Sequence, residues 1–271
     1  MANSFQGKTV VITGGTSGIG KALVVAFLNQ GAQVAVCARK TEALQILEKE
    51  LGTSALLTVS ADVSRQEDCT RLIGTAIQRF GKIDILINNA GISMRALFSQ
   101  IEDLEVIRRV METNFWGTVY CTKYALPYLL KTGGVVVGVS SVAGYRGLPG
   151  RTGYSASKFA MQGFLESLRT ENLHTGIHVM WVCPGFTASN IRNTALDADG
   201  RAQKETPLEE AKLMTADSVA SRILKAIAGK KRTLVLTSQG KLTVLLSRLV
   251  PGILDGLVYN HFRKEPGSPL K

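Results

Sequence analysis

Thr9-Val10-Val11-Ile12-Thr13-Gly14-Gly15-Thr16-Ser17-Gly18-Ile19-Gly20 is the stretch whose reading decides the fold. From Lys8 to Thr13 the residues are apolar and β-branched, the pattern of a short strand buried on both faces. The run enters a glycine-rich turn without a spacer, and an amphipathic stretch follows through Leu28. Strand, turn and helix start together aim backbone N–H groups at one point, where a pyrophosphate can sit on the helix N-terminus. Gly14, Thr16, Ser17, Gly18, Ile19 and Gly20 are therefore candidate cofactor contacts. The glycine spacing is not GxGxxG, and a turn of this kind can also exist without a ligand. Its position after the first strand of an alternating chain favours a dinucleotide.

That alternation continues outward. Strands are expected at 33–37, 56–60, 83–87, 135–139 and 179–182, with a seventh at 233–236. Helices are expected at 42–51, 66–80 and 104–130, and around Tyr154. Strands alternating with helices predict an α/β fold, a mainly parallel sheet of about seven strands with helices on both faces. Right-handed crossovers put the loops that follow the strands along one edge, where such sheets bind ligands. Gly14, Asp62, Asn88, Ser141 and Pro184 all fall at expected strand ends, so the topology gathers them.

Chemistry enters with Tyr154-Ser155-Ala156-Ser157-Lys158, and with Ser141 upstream. Residues four apart on a helix share a face. A lysine there stands near a phenol of ordinary pKa about 10 and is expected to lower it towards the range of useful proton transfer. The Tyr-x-x-x-Lys spacing is common by itself, and its weight comes from the company it keeps.

Thr13-Gly14-x-x-x-Gly18-x-Gly20, Asn88-Asn89-Ala90-Gly91, Asn114, Ser141, Tyr154-x-x-x-Lys158 and Pro184-Gly185-x-Thr187 occur in one order. In that order they resemble the short-chain dehydrogenase/reductase family. The resemblance implies a single Rossmann-type doubly wound domain over 1–271 that transfers hydride between a nicotinamide cofactor and a carbonyl/alcohol pair. It implies Tyr154 as general acid/base, Ser141 bonded to the substrate oxygen, Lys158 on Tyr154 and the nicotinamide ribose, and Asn114 as a water-holding relay. Asp62 and Val63 would meet the adenine, while Asn88, Ala90 and Gly91 line the dinucleotide wall. Pro184, Gly185 and Thr187 would meet the nicotinamide. Homodimers or homotetramers are implied as well. The Ala198-Asp199-Gly200 and Pro251-Gly252-Ile253 contexts resemble the dehydrogenase/reductase member seven-B group of that family.

The end of the second strand selects between cofactors. An NAD site usually carries Asp or Glu there, on the ribose hydroxyls. Val36-Cys37-Ala38-Arg39-Lys40 has no carboxylate and offers two cations instead. Arg39 can grip a 2′-phosphate with its planar fork, and Lys40 adds a point charge. Solvated cations at a βα loop are the plainer alternative. The expectation is NADP(H).

The substrate is less legible. Ser93, Met94, Val142, Tyr145, Leu148 and Phe186 are the pocket candidates, mostly apolar, and suggest a lipophilic molecule. Region 186–216 is expected to act as a substrate lid. Region 240–271 mixes apolar residues with cations and a proline, a pattern unable to span a bilayer. It suits cover over the domain or a dimer partner, with peripheral membrane contact as the alternative. An NADP(H) sensor or membrane-surface scaffold, or an NAD-linked alcohol dehydrogenase, stays open beside the reductase.

Composition is consistent with one core-forming domain: 271 residues, 45% hydrophobic and 20% charged. The net charge of +11 is spread along the chain without a nucleic-acid motif, which argues against nucleic-acid binding. Cys37, Cys69, Cys121 and Cys183 lack metal or CxxC spacing, and neither they nor the three histidines suggest a metal. The first residues carry no apolar signal core, so a cytoplasmic chain is expected.

Overall fold

The computed structural model describes residues 4–185, 187, 191–203, 213–265, 267, 268 and 270. Among them the strands are β1 (Thr9–Thr13), β2 (Gln33–Ala38), β3 (Leu56–Ser60), β4 (Ile85–Asn88), β5 (Val135–Val139), β6 (His178–Cys183) and β7 (Thr233–Val235). They form one sheet in the order β3-β2-β1-β4-β5-β6-β7, and every pairing is parallel.

Side chains alternate along a strand, so each strand feeds two layers. Val10 and Ile12 of β1 pack with Val34, Val36, Ile85, Ile87, Val137 and Val139 under α1 (Gly18–Leu28), α2 (Thr41–Leu51) and α7 (Ala216–Ala228). Val11 turns the other way and joins Ala35, Leu86, Val136 and Val179 beneath α3 (Gln66–Phe80), α5 (Gly117–Thr132) and α6 (Thr152–Glu171). Strands buried on both faces need apolar residues at successive positions, which explains the unbroken Val/Ile runs. After β3 the chain returns to place β4 on the other side of β1. That reversal opens a crevice between the C-terminal ends of β1 and β4.

The opposite edge is pinned by Asp84, which takes bonds from Lys8 Nζ at 2.8 Å and Thr9 N at 2.9 Å and pairs with Lys82 at 3.2 Å. Burial pushes the Asp84 carboxyl up, but these donors together outweigh it and hold it below the usual value. A depressed carboxyl stabilises the fold above its unfolded pKa of about 4, and that contribution is lost as pH falls through the folded value. Asp84→Asn is expected to cost about 1 kcal/mol at neutral pH, given the half-exposed lysines. Thermal unfolding should show parent and variant converging below about pH 4; a constant gap down to acid pH would rule this account out.

One expected helix is divided. In place of 104–130 the chain forms α4 (Glu105–Met111), a single π turn (Glu112–Trp116) and α5, with Asn114 inside the π turn. Periodicity sees a continuous apolar face, whereas the extra residue of a π turn is fixed by what Asn114 bonds to. The C-terminal region forms α8 (Ser238–Leu249) and α9 (Pro251–Arg263), which pack on each other. Leu254 and Phe262 are buried, while Leu242, Leu245, Leu249, Ile253 and Leu257 are exposed. Among the described residues no helix is long and apolar enough to cross a membrane.

Candidate active site

The glycine turn is built around Thr13. Its hydroxyl accepts from Asn89 N and Ala90 N, both at 3.0 Å, and so joins the ends of β1 and β4. Asn89 Nδ2 donates to the carbonyls of Thr13 and Gly14, each at 2.9 Å. Gly14 N and Gly15 N donate to Cys37 O, which ties the turn to the end of β2. Gly14 has φ +68°, and a Cβ on it would stand 2.9 Å from Ala90 Cα. A Cβ on Gly20 would lie 2.1 Å from Gly14 O. Helix and turn therefore touch backbone to backbone. Ser17, the N-cap of α1, is exposed and makes no side-chain cap. The first N–H groups of a helix lack acceptors within it, so those of Gly18, Ile19 and Gly20 are available to an anion. Thr16 lies half-buried within the same turn. The cradle fits a dinucleotide pyrophosphate.

Around the adenosine end, Arg39 and Lys40 are exposed just past β2. Among the described residues no carboxylate pairs with either. Asp62 follows β3, and its Oδ1 accepts from Ser64 N at 3.0 Å and Ser64 Oγ at 2.8 Å. Val63 is buried against Gly117. Asn88 departs from expectation: its side chain faces the core, 2% exposed, and donates to Thr122 Oγ1 at 3.0 Å. Any contribution to the dinucleotide wall is left to its backbone, and the side chain that braces the turn is Asn89. Strand parity could have separated the two, because Asn88 shares the α5 face with Leu86.

The four catalytic candidates come together above β4 and β5. Lys158 is 3% exposed and donates from Nζ to Val139 O at 2.9 Å. A Cβ on Gly91 would lie 3.1 Å from Asn114 Oδ1 and 3.5 Å from Lys158 Nζ, so only glycine leaves this space open. Asn114 is fully buried; its Oδ1 accepts from Ile92 N at 2.8 Å, and its Nδ2 donates to Ile92 O and Ser157 Oγ, both at 2.9 Å. Ser141 starts a short 3-10 turn, its Oγ accepts from Ala143 N at 3.1 Å, and it lies beside the Tyr154 phenol, whose pKa it pulls down. Ser140 is buried instead and accepts from Gln162 Nε2 at 2.8 Å.

Titration behaviour differs from the sequence expectation. Burial holds the Tyr154 phenol above its ordinary value, with the neighbouring Ser141 hydroxyl and the charge of Arg151 pulling it partly back. Lys158 stands 5.7 Å from the Tyr154 ring centroid, and its ammonium is engaged with a backbone carbonyl. Burial also lowers Lys158 itself to about 8. In this geometry desolvation of the phenol outweighs the lysine's influence. The Cys37 and Cys183 thiols are pushed up to about 12 by burial, consistent with inert core sulfurs.

Sequence reading missed Gln162, which is 7% exposed and also donates to Ser141 O at 3.3 Å. It follows Tyr154 and Lys158 at a further four-residue step, the signal that could have found it. Ser157 was missed too; its Oγ donates to Tyr154 O at 2.7 Å and links Asn114 to the tyrosine's own turn.

Beside Tyr154 lies an apolar cluster of Met94, Ala96, Val106, Val110 and Leu196, with Ile92, Ile107 and Ala198 packed on it. Ser93 and Met94 are buried there, while Val142 and Leu148 are half-buried on the loop before α6. Tyr145 is a different case: its hydroxyl accepts from Trp181 Nε1 at 2.8 Å, inside β6, and so points down the sheet. Its phenol is committed to the fold. Pro184 and Gly185 follow β6, and Thr187 is buried with Oγ1 bonded to Gly185 O at 3.1 Å. Phe186, and 188–190 and 204–212 of the expected lid, lie outside the described residues.

Comparison with known proteins agrees with this geometry. The family described as short chain dehydrogenase matches residues 8–200. An 11-beta-hydroxysteroid dehydrogenase A of Arachis hypogaea is 36% identical, covering 99% of this chain and 79% of that protein. Dehydrogenase/reductase SDR family member 7B of Bos taurus is 37% identical, covering 96% and 82%. A short chain dehydrogenase/reductase from Burkholderia phymatum, solved in complex with NAD, superposes with a TM-score of 0.80 at 24% identity, covering 93% of this chain and 96% of that one. At that identity the superposition speaks for the fold alone. A parallel sheet with a glycine-built crevice, and relatives matched over nearly the whole length, lead to one assignment: the chain belongs to the short-chain dehydrogenase/reductase family of nucleotide-binding oxidoreductases, which act on CH–OH groups.

Proposed function

We propose that the chain is an NADP(H)-dependent oxidoreductase that interconverts a carbonyl and an alcohol on a lipophilic small molecule. The observation that carries this reading is the Tyr154 phenol with Ser141 beside it and the Lys158 ammonium 5.7 Å from its ring, next to buried Asn114 at the crevice edge. When bound, the dinucleotide supplies or accepts the hydride. Tyr154 holds its proton at neutral pH, as any phenol of ordinary pKa about 10 does, and burial favours that form further, so it can donate to a developing alkoxide. Ser141 orients the same oxygen. Lys158 and Asn114 serve proton supply to the tyrosine, and Lys158 also binds the nicotinamide ribose. Thr187, with Pro184 and Gly185, holds the nicotinamide; Asp62, Val63, Ala90 and Gly91 form the adenosine wall. The apolar cluster beside Tyr154 supports a lipophilic substrate, and the name of the Arachis hypogaea relative suggests a steroid-like class. The exposed apolar ridge on α8 and α9 suits a partner copy in a homodimer or homotetramer, with a peripheral membrane surface as its other use.

Cofactor choice rests on Arg39, unpaired with carboxylate among the described residues, and on Lys40. Charge-assisted bonds are worth about 1.5–3 kcal/mol, so Arg39→Ala should weaken NADPH roughly tenfold to a hundredfold and leave NADH unchanged. Fluorescence titration of both cofactors checks this. Equal NADPH affinity in parent and variant, or an NADH preference in the parent, would reassign the cofactor.

A further inference from the structure

On α6, buried Gln162 lies two helical turns after Tyr154 and one after Lys158. The chemistry assigned above makes no use of it, yet its amide is engaged where three elements meet. Nε2 donates to Ser140 Oγ at 2.8 Å and to Ser141 O at 3.3 Å, both just past β5. It also reaches Cys183 Sγ, at the end of β6, at 3.7 Å. A carbonyl only accepts, so the nitrogen of the amide is the end that faces Ser141. The turn is shaped to receive it: a Cβ on Gly144 would stand 2.3 Å from Gln162 Nε2 and 2.9 Å from its Cδ. Only glycine leaves room for the amide there.

Bonds within the turn fix its shape. Ala143 N donates to Ser141 Oγ at 3.1 Å, Gly144 N to Ser141 O at 3.0 Å, and Tyr145 N to Val142 O at 2.9 Å. None of these sets where the turn stands relative to α6. Side chains of that helix tie it down. Ser155 Oγ accepts from Leu148 N at 3.2 Å and holds the far end of the loop, while Gln162 holds the near end at Ser141. A side-chain amide carries two donor hydrogens, so one residue grips Ser140 and Ser141 together. Burial strengthens both bonds, because no water competes for the donor.

We propose that Gln162 is a positioning residue for Ser141: its amide fixes the Ser141 turn against the helix that carries Tyr154 and Lys158, and so sets where the serine hydroxyl meets the substrate oxygen. This rests on the reading of Ser141 as the group that orients that oxygen. Without the amide neither acceptor is orphaned, because Ser141 O keeps Gly144 N and Ser140 Oγ still reaches Lys158 O at 3.5 Å. The fold therefore survives the loss, and what changes is the placing of the turn.

Gln162→Met and Gln162→Leu fill the space without a donor. Amide hydrogen exchange on the full chain needs neither substrate nor cofactor. The Gly144 and Tyr145 amides should exchange roughly tenfold faster in both variants, with those of β5 unchanged. Steady-state reduction of an 11-oxosteroid with NADPH is the second measurement. A misplaced hydroxyl should lower kcat roughly tenfold to a hundredfold and leave KM and NADPH affinity within about twofold. In a Ser141→Ala background Gln162→Met should lower kcat no further, since a residue acting through Ser141 has nothing left to place. A merely structural glutamine would lower it by the same factor in both backgrounds, and that additivity overturns the proposal. So does unchanged exchange at Gly144 and Tyr145, or a raised KM with the parent's kcat. Ser141→Ala with the parent's kcat would instead remove the reading of Ser141 itself. A parent inert toward the steroid ketone would overturn the substrate reading, and the exchange result would still decide whether the amide holds the turn.

Discussion

Tyr154→Phe is expected to lower turnover of lipophilic ketones with NADPH by about two to four orders of magnitude, the contribution of a positioned general acid. Phenylalanine keeps the ring that packs on the apolar cluster around Met94 and removes only the hydroxyl beside Ser141. Stability should change by about 1 kcal/mol or less, the worth of one hydrogen bond. NADPH affinity should stay within about twofold, because removing a transition-state group lowers kcat rather than binding. Steady-state kinetics on a panel that includes steroid ketones, paired with NADPH titration, separates these quantities. Turnover equal to the parent's would mean that the proton comes from another group. A parallel loss of NADPH binding would mean that the hydroxyl shapes the cofactor site instead.

Gly20→Ala should strike both stability and cofactor binding. The added Cβ would meet Gly14 O at 2.1 Å, Asn89 Nδ2 at 2.6 Å and Gly14 C at 2.9 Å. Two of these are backbone atoms of the turn, held by Cys37 O and Asn89, so neither can yield without moving β1 from β4. Overpacking of this kind costs about 2–3 kcal/mol. For a chain of this size the unfolding midpoint should fall by about 5–10 °C. NADPH affinity should drop at least about tenfold, since the N–H groups that face the pyrophosphate are displaced with the turn. A lower midpoint with unchanged NADPH binding would show that the turn is structural and the phosphate sits elsewhere. Unchanged stability would show that α1 and the turn are not in the contact described.

The strands and their order of use were open to sequence reading because burial on both faces demands uninterrupted Val, Ile and Leu. Val135–Val139 and Leu56–Ser60 match the expected bounds for that reason. Asn88 and Asn89 could not be ranked by motif alone, and the choice between them came from the pleat of β4. Asn114 was legible as a residue, but the π turn that carries it follows from bonds to Ile92 and Ser157, distant partners in the chain. Gln162 carries no motif at all. Its place depends on a helix face and on strand ends that meet it from 21 and 22 residues away in the chain.

By itself the sequence determined the α/β alternation and the glycine turn, because each is written in local residue type and spacing, while Asn114, Ser141, Tyr154 and Lys158 are candidates that the family resemblance named. Tertiary structure decided how those groups titrate and what braces them. Desolvation and long-range charge depend on the whole packed surroundings: burial raises the Tyr154 phenol, and a backbone carbonyl engages Lys158. No window of sequence contains those neighbours.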